Sequence, residues 1–104
     1  MKHARRQTAK PNLERLLAAN PTTEGMYVRA WGDHLIIGRE EPYGPDGALV
    51  PDDRVRFTAR TASSWGLGVR RHTGRWEKTP FTGTLEELYD IVGSLMQHLV
   101  ASHS

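Results

Sequence analysis

The residues whose types and spacing indicate chemistry in this sequence are cationic and lie mostly between Arg54 and Lys78. Arginine and lysine side chains bind carboxylates and phosphates through charge-assisted hydrogen bonds. If they alternate along strands, they gather on one face of a sheet. Such a face either binds an anion or is covered by acidic groups of the same chain or of a partner. The candidate anion-binding or nucleic-acid-binding residues are Arg54, Arg56, Arg60, Arg70, Arg71, Arg75, Trp76 and Lys78.

Two strands predicted in this stretch alternate between apolar and other residues, and the alternation predicts how they pair. The segments are 54–60 and 64–71. Matching their apolar faces sets the register, because a slip of one residue would invert one strand. The predicted pairs are Ala59–Trp65, Phe57–Leu67 and Val55–Val69 on the apolar face, and Arg56–Gly68 and Arg54–Arg70 on the other. The last pair places like charges opposite each other, which destabilises a sheet unless solvent or an anion separates them.

The position of Trp76 depends on the loop that follows this pair of strands. If residues 72–74 form a three-residue hairpin loop, Trp76 lies beside Arg70 on the arginine-bearing face. A different loop places Trp76 in the core beside Val69. A domain of this size usually buries its large aromatic side chains, which favours the core position at least as much.

Two kinds of binding function fit these residues. We expect first a non-catalytic interaction module that contacts a protein partner or a second copy of itself, since this is common among small domains without a recognisable site. The alternative is binding of single-stranded DNA or RNA, because arginines, aromatics and glycines on one sheet face are typical of single-strand platforms. In that case the basic segment 1–10 would add phosphate contacts.

The sequence carries no signature of catalysis, of a metal site or of a resident cofactor. Cysteine is absent, which excludes disulfides, thiolate chemistry and cysteine-ligated zinc. The five histidines lack the spacing of two metal ligands on one helix face. The segment 65–68, WGLG, lacks the spacing and the following lysine of a phosphate-binding loop. We therefore expect neither an enzyme nor a bound cofactor.

Length and charge are those of one small domain with segregated charge. The chain has 104 residues and a net charge of +2, divided as +4 over 1–20, −3 over 21–50, +4 over 51–80 and −3 over 81–104. Such asymmetry indicates either polyanion contact or basic and acidic elements that offset each other within one fold. No apolar run reaches the roughly 20 residues that span a bilayer, and the basic N-terminus lacks a secretory apolar segment. We expect a cytoplasmic protein without a membrane partner.

The first half of the chain predicts a disordered arm, a short helix and a hairpin. Residues 1–10 are expected to be a disordered basic arm, and residues 11–104 a single α+β domain. A short helix is predicted over Asn12–Ala19. A Gly32-Asp33 turn is predicted to join strands at 26–31 and 34–39.

Between this hairpin and the basic stretch, the segment Glu40–Asp53 contains three prolines, two glycines and five carboxylates. This composition predicts a mobile loop. The strands on either side of it, with those of the basic stretch, predict a mainly antiparallel meander of about five strands.

A long C-terminal helix is the clearest predicted element. Thr84 and Glu87 form a capping box, and apolar residues follow at helical spacing to about Ala101. The helix is expected to pack on one face of the sheet, and the surplus of its wide apolar stripe, at Ile91 and Leu95, predicts a dimer contact. The predicted core residues are Val28, Leu35, Ile37, Val55, Phe57, Leu67, Val69, Leu88, Val92, Leu95 and Leu99.

Overall fold

The computed structural model describes residues 2–61, 64–71 and 73–95. These residues form two helices and five strands. The helices are α1 (Lys2–Ala18) and α2 (Leu85–Leu95), and the strands are β1 (Tyr27–Trp31), β2 (His34–Tyr43), β3 (Ala48–Ala59), β4 (Trp65–Arg70) and β5 (Trp76–Gly83). The strands form one antiparallel sheet in chain order, which confirms the predicted α+β meander. Neither described helix is long and apolar enough to cross a membrane.

The turn between β1 and β2 and the register of β3 with β4 are those predicted from the sequence. Gly32 has a φ of 59° and joins β1 to β2, with Trp31 paired to His34. The pairs Ala59–Trp65, Phe57–Leu67 and Val55–Val69 join β3 to β4 in the predicted register. The next hairpin is closed by the backbone amide of Arg71, which donates to the carbonyl of Arg75 at 2.8 Å. It places Trp76 opposite Arg70, so Trp76 does not lie on the core face.

The core lies between the two helices and one face of the sheet. Val55 and Phe57 are fully buried in the central strand, and Leu88 and Val92 of α2 belong to the same buried cluster. The other predicted core residues that are buried are Val28, Leu35, Ile37 and Leu67, and the structure adds Ala9, Leu13, Leu17, Met26, Ala59, Trp65 and Tyr89. Val69 is only half-buried. The predicted core positions of Leu95 and Leu99 concern side chains outside the described part of the structure.

Helix α1 is longer than the sequence predicts. It begins at Lys2 and continues through Pro11, so the residues from Lys2 to Lys10 are helical where a disordered arm is predicted. The prediction placed Pro11 just outside the helix, because proline disrupts the preceding turn of a helix interior. Two features oppose that effect: the segment is rich in good helix formers, and Ala9 is buried in the core.

The predicted loop at Glu40–Asp53 is wrong, because most of this segment is paired strand. β2 and β3 continue past the rest of the sheet as a two-stranded ribbon, closed by a turn between Tyr43 and Ala48. Gly44 and Gly47 have φ values of 78° and 71° in this turn. In the described chain, β1 pairs with β2 only as far as Gly38, so the ribbon has outer edges at which prolines are tolerated.

The described part of α2 is eleven residues long. Its capping box is formed as predicted: the Thr84 amide donates to Glu87 Oε1 at 2.9 Å, and the Glu87 amide donates to Thr84 Oγ1 at 3.1 Å. The helix packs on β4, β5 and α1. The described residues therefore show a shorter helix than the one predicted. The predicted continuation to Ala101 lies outside the described part of the chain.

Candidate functional site

The face of the sheet opposite the core, here called the outer face, gathers residues from all five strands. Neither described helix packs on it, because both contribute to the core on the other side. Residues in register form rows across the strands, since paired residues point to the same side. One row is Arg29, Ile36, Arg56, Gly68 and Lys78, and the adjacent row is Trp31, His34, Thr58, Gly66 and Thr82.

A groove with a volume of about 480 Å³ lies on this face over β3, β4 and β5. Three of its side chains are cationic, and hydroxyls, an imidazole and strand glycines complete the wall and floor. The lining residues are His34, Arg56, Thr58, Ala59, Arg60, Gly66, Leu67, Gly68, Lys78 and Thr79. The groove therefore combines positive charge with hydrogen-bond donors, which is the chemistry of an anion site.

The floor of the groove is backbone at Gly66 and Gly68, and the side chains of Arg60 and Arg56 lie close to these two glycines. Neither glycine has a positive φ, so the backbone does not require glycine at either position. A Cβ at Gly68 would meet Arg56 Nε at 3.6 Å, which is an ordinary contact, and one at Gly66 would meet Arg60 Cδ at 3.2 Å. Glycine inside a strand weakens it and often marks a place where a ligand approaches the backbone closely.

Arg56 lies beside this floor with an unused donor. Its guanidinium carbon lies 4.9 Å from the ring centroid of Trp76, which places the cation over the aromatic face. Its Nε is buried and has no hydrogen-bond partner among the described residues. A buried unpaired donor costs about 1–3 kcal/mol, so a rotation of the Arg56 side chain that brings Nε to an anion in the groove would recover this cost.

The other predicted site residues divide between the groove and its surroundings. Arg60 and Lys78 line the groove and form no ion pair with a described carboxylate. Arg71 lies outside the groove and pairs with Glu77 at 2.9 Å. Arg75 is exposed in the hairpin turn between β4 and β5. Arg70 lies opposite Trp76, one row away from the groove.

The predicted place of Arg54 on the arginine-bearing face, opposite Arg70, is wrong. Asp53 pairs with Gly38 and Val55 with Ile37, so Arg54 is the extra residue of a β-bulge. Its side chain is only 5% exposed and forms ion pairs with the acidic ribbon. Nη2 donates to Glu41, and Nε donates to Asp52 at 3.2 Å. Acidic groups of the same chain therefore cover Arg54. The sequence had offered such a cover as one explanation for the whole arginine-bearing face.

A second acidic contact limits the extent of the positive surface. Asp53 accepts hydrogen bonds from both Arg29 and the Tyr27 hydroxyl. The bond from Arg29 lowers the pKa of Asp53, and burial together with the bond to Asp53 raises the pKa of Tyr27. Asp53 therefore stays ionised and neutralises Arg29, which leaves Arg56, Arg60 and Lys78 as the cations of the groove.

Two aromatic residues at the edge of the groove were not among the predicted site residues. His34 Nδ1 lies 2.8 Å from Thr58 Oγ1, and the His34 ring stacks on Trp31 with centroids 6.0 Å apart. Trp31 is 63% exposed. The sequence does pair Trp31 with His34 across the Gly32-Asp33 turn. The sequence does not reveal that His34 contacts Thr58. That contact depends on the register of β2 with β3, which could not be predicted while the segment between them was taken for a loop.

The titration of His34 should make stability depend on pH. Burial, and secondly the charge of Arg56, lower the pKa of His34, and Asp33 offsets this in part. The unfolded chain then binds this proton more readily than the folded chain, so stability falls as the pH drops below about 6.5. His34→Gln keeps a group that can hydrogen-bond Thr58 but does not titrate. Urea unfolding between about pH 7 and pH 5.5 should show a smaller loss for His34→Gln, and identical losses would contradict this role.

The predicted dimer contact is described only in part. Ile91 is half-buried and packs against the core, so some of its apolar surface is used within the domain. The side chain of Leu95 lies outside the described residues. In the same described ranges, no group of three or more histidines and carboxylates is placed to hold a metal ion.

Comparisons with known proteins give no relative for this chain. No protein-family model, curated protein or solved structure matches it significantly. Its function is therefore argued from the site itself.

Proposed function

We propose that this chain is a non-catalytic binding module whose groove binds the phosphate groups of a nucleic acid. The observation that carries the proposal is the glycine floor beside Arg56, whose buried Nε has no acceptor among the described residues. Arg60 and Lys78 line the same groove, so successive phosphates of one strand would meet three cations.

Nucleic acid fits this surface better than an isolated anion. The groove lies over β3, β4 and β5, with Trp76 beside its Arg56 at one side and Trp31 stacked on its His34 at the other. A positively charged groove that follows a phosphate backbone, with aromatic residues beside it, is the arrangement by which sheet platforms hold nucleic-acid strands. The phosphate contacts would fix the position of the strand without reading its sequence.

A protein–protein contact is a second candidate function, favoured by a different part of the molecule. Tyr43, Leu49 and Val50 are exposed large apolar side chains at the end of the ribbon. Tyr43 and Val50 lie on one face of the ribbon and Leu49 on the other, within three register positions of the turn. Exposed large apolar side chains that lie close together mark interaction surfaces more often than scattered ones do. The ribbon end is separate from the groove lining, so a protein contact and a nucleic acid would not compete for the same residues.

Gly68→Ala tests the groove with a minimal change. The added methyl group would lie 3.6 Å from Arg56 Nε and would fill the floor without a backbone clash. Loss of a hydrogen bond to a charged group costs about 1.5–3 kcal/mol, so we expect an affinity for a single-stranded oligonucleotide that is roughly 10- to 100-fold lower. Fluorescence anisotropy of a labelled oligonucleotide measures this directly.

Gly93→Ala is the matched control for that experiment. It makes the same chemical change on α2, where an added Cβ meets nothing within 4 Å, and it is not part of the groove lining. We expect Gly93→Ala to bind as the wild type does. Equal affinities for the wild type and for folded Gly68→Ala would show that the ligand does not use this floor.

A further inference from the structure

We infer that Trp31 stacks an unpaired nucleobase, so that the ligand of the groove is a single strand of DNA or RNA rather than a duplex or another polyanion. This inference rests on the proposed function, because it needs phosphates in the groove. It adds a recognition site on a residue outside the groove lining.

The Trp31 ring is exposed and oriented at the same time. It is 63% exposed, although it lies in a strand whose other face contributes to the core. Its plane is within 21° of the His34 plane, and His34 is held by Thr58 through a 2.8 Å contact. A ring that is already oriented loses little conformational freedom when a second ring stacks on it.

The position of Trp31 relates it to the phosphate site. Trp31 and His34 are direct cross-strand partners, and His34 is a lining residue of the groove. Neighbouring strands lie about 4.8 Å apart, so the indole is one strand spacing from the end of the groove. The same row continues through Thr58 to Gly66 on the groove floor. One extended nucleic-acid strand can therefore place phosphates in the groove and a base at Trp31.

This geometry discriminates between classes of polyanion. In a duplex the base faces are stacked and paired, and polyphosphate has no bases, so neither can use the indole face. A single strand can turn a base out of its own stack and place it on an aromatic side chain. Stacking of this kind tolerates any base, because every base has a π-face. The inferred site therefore selects for a single strand without selecting a sequence.

The test compares three probes on the intact chain: an oligothymidylate, an abasic oligonucleotide with the same number of phosphates, and inorganic polyphosphate. The wild type should bind oligothymidylate roughly 5- to 150-fold more tightly than the abasic strand. Trp31→Ala should remove that preference and leave abasic affinity unchanged. Trp31→Phe should restore part of the preference, which a merely structural role of Trp31 would not predict.

The outcomes separate the inference from the proposed function. Tight binding of all three probes with no effect of Trp31→Ala would overturn the base site and leave the phosphate groove standing. Failure of the wild type to bind any probe at low salt would overturn the proposed function, and the inference with it. Because Trp31 is largely exposed, both variants are expected to fold, and circular dichroism at the titration temperature checks this.

Discussion

Replacement of both Arg56 and Lys78 by glutamine should weaken the binding of single-stranded oligonucleotides by about 100- to 10,000-fold at low salt. The two side chains flank the groove floor from β3 and β5, and each is paired in register with Gly68. Each substitution removes one charge-assisted contact to phosphate, worth about 1.5–3 kcal/mol. The dependence of log affinity on log salt should also become shallower by about 1.4, since each phosphate contact on a single strand contributes about 0.7.

A second double variant, Arg71→Gln with Arg75→Gln, controls for charge. It also removes two positive charges, but from the hairpin turn, where Arg71 pairs with Glu77 outside the groove. If the groove binds the ligand, this variant should lose much less affinity than Arg56→Gln with Lys78→Gln. Equal losses would mean that the ligand responds to net charge alone, and the groove would then have no special role.

The largest expected effect on stability is that of Phe57→Ala. Phe57 is fully buried in the central strand β3, between Leu35 of β2 and Leu67 of β4, and it is the largest fully buried side chain. Truncation of a buried phenylalanine costs about 3–5 kcal/mol, from the lost transfer free energy and from the cavity that remains. Because the free energy of unfolding of a small domain is only about 5–15 kcal/mol, Phe57→Ala should unfold at a much lower urea concentration than the wild type.

Leu49→Ala provides the matched comparison for the stability experiment. Leu49 is 62% exposed at the end of the ribbon, so its truncation should change the free energy of unfolding by no more than about 0.5 kcal/mol. Urea unfolding followed by circular dichroism measures both variants under the same conditions. Similar losses for Phe57→Ala and Leu49→Ala would contradict the placement of the core on the inner face of β3.

The pairing of β3 with β4 could be predicted because it depends on local alternation. Val55, Phe57 and Ala59 alternate with polar residues, and only one register buries all three against the next strand. The Gly32-Asp33 turn was equally local. Trp76 was undecided because two loops fit the same residues. The loop that forms has backbone hydrogen bonds from Arg71 to Arg75 and from Gly74 to Arg71.

The errors in the fold arise where tertiary contacts outweigh composition. Prolines and glycines between Glu40 and Asp53 are typical of a loop, but a two-stranded ribbon accepts prolines on its outer edges and glycines in its turn. At the N-terminus, the burial of Ala9 against the core accompanies a helix that extends through Pro11. Neither the pairing of β2 with β3 in the ribbon nor the burial of Ala9 can be predicted from the neighbouring residues alone.

The candidate site was predicted in part for the same reasons. Arg56 was predicted beside Gly68, because the alternation of β3 and β4 fixes that register. Lys78 also lies beside Gly68, but the sequence indicated this only for one of the two loops that were left open. Arg54 was misplaced, because a bulge adds one residue to β3 and turns its side chain toward Glu41. Trp31 was missed as a site residue, because its relation to the groove depends on the register of β2 with β3, which the predicted loop between them left undetermined.

The proposed role of the groove is to bind nucleic-acid phosphates through Arg56, Arg60 and Lys78. The most direct measurement is a fluorescence-anisotropy titration of the wild-type chain with a labelled oligothymidylate over a series of salt concentrations. With three phosphate contacts, log affinity should fall linearly with log salt, with a slope of about −2. Absence of binding at the lowest salt, or an affinity that does not change with salt, would contradict the claim.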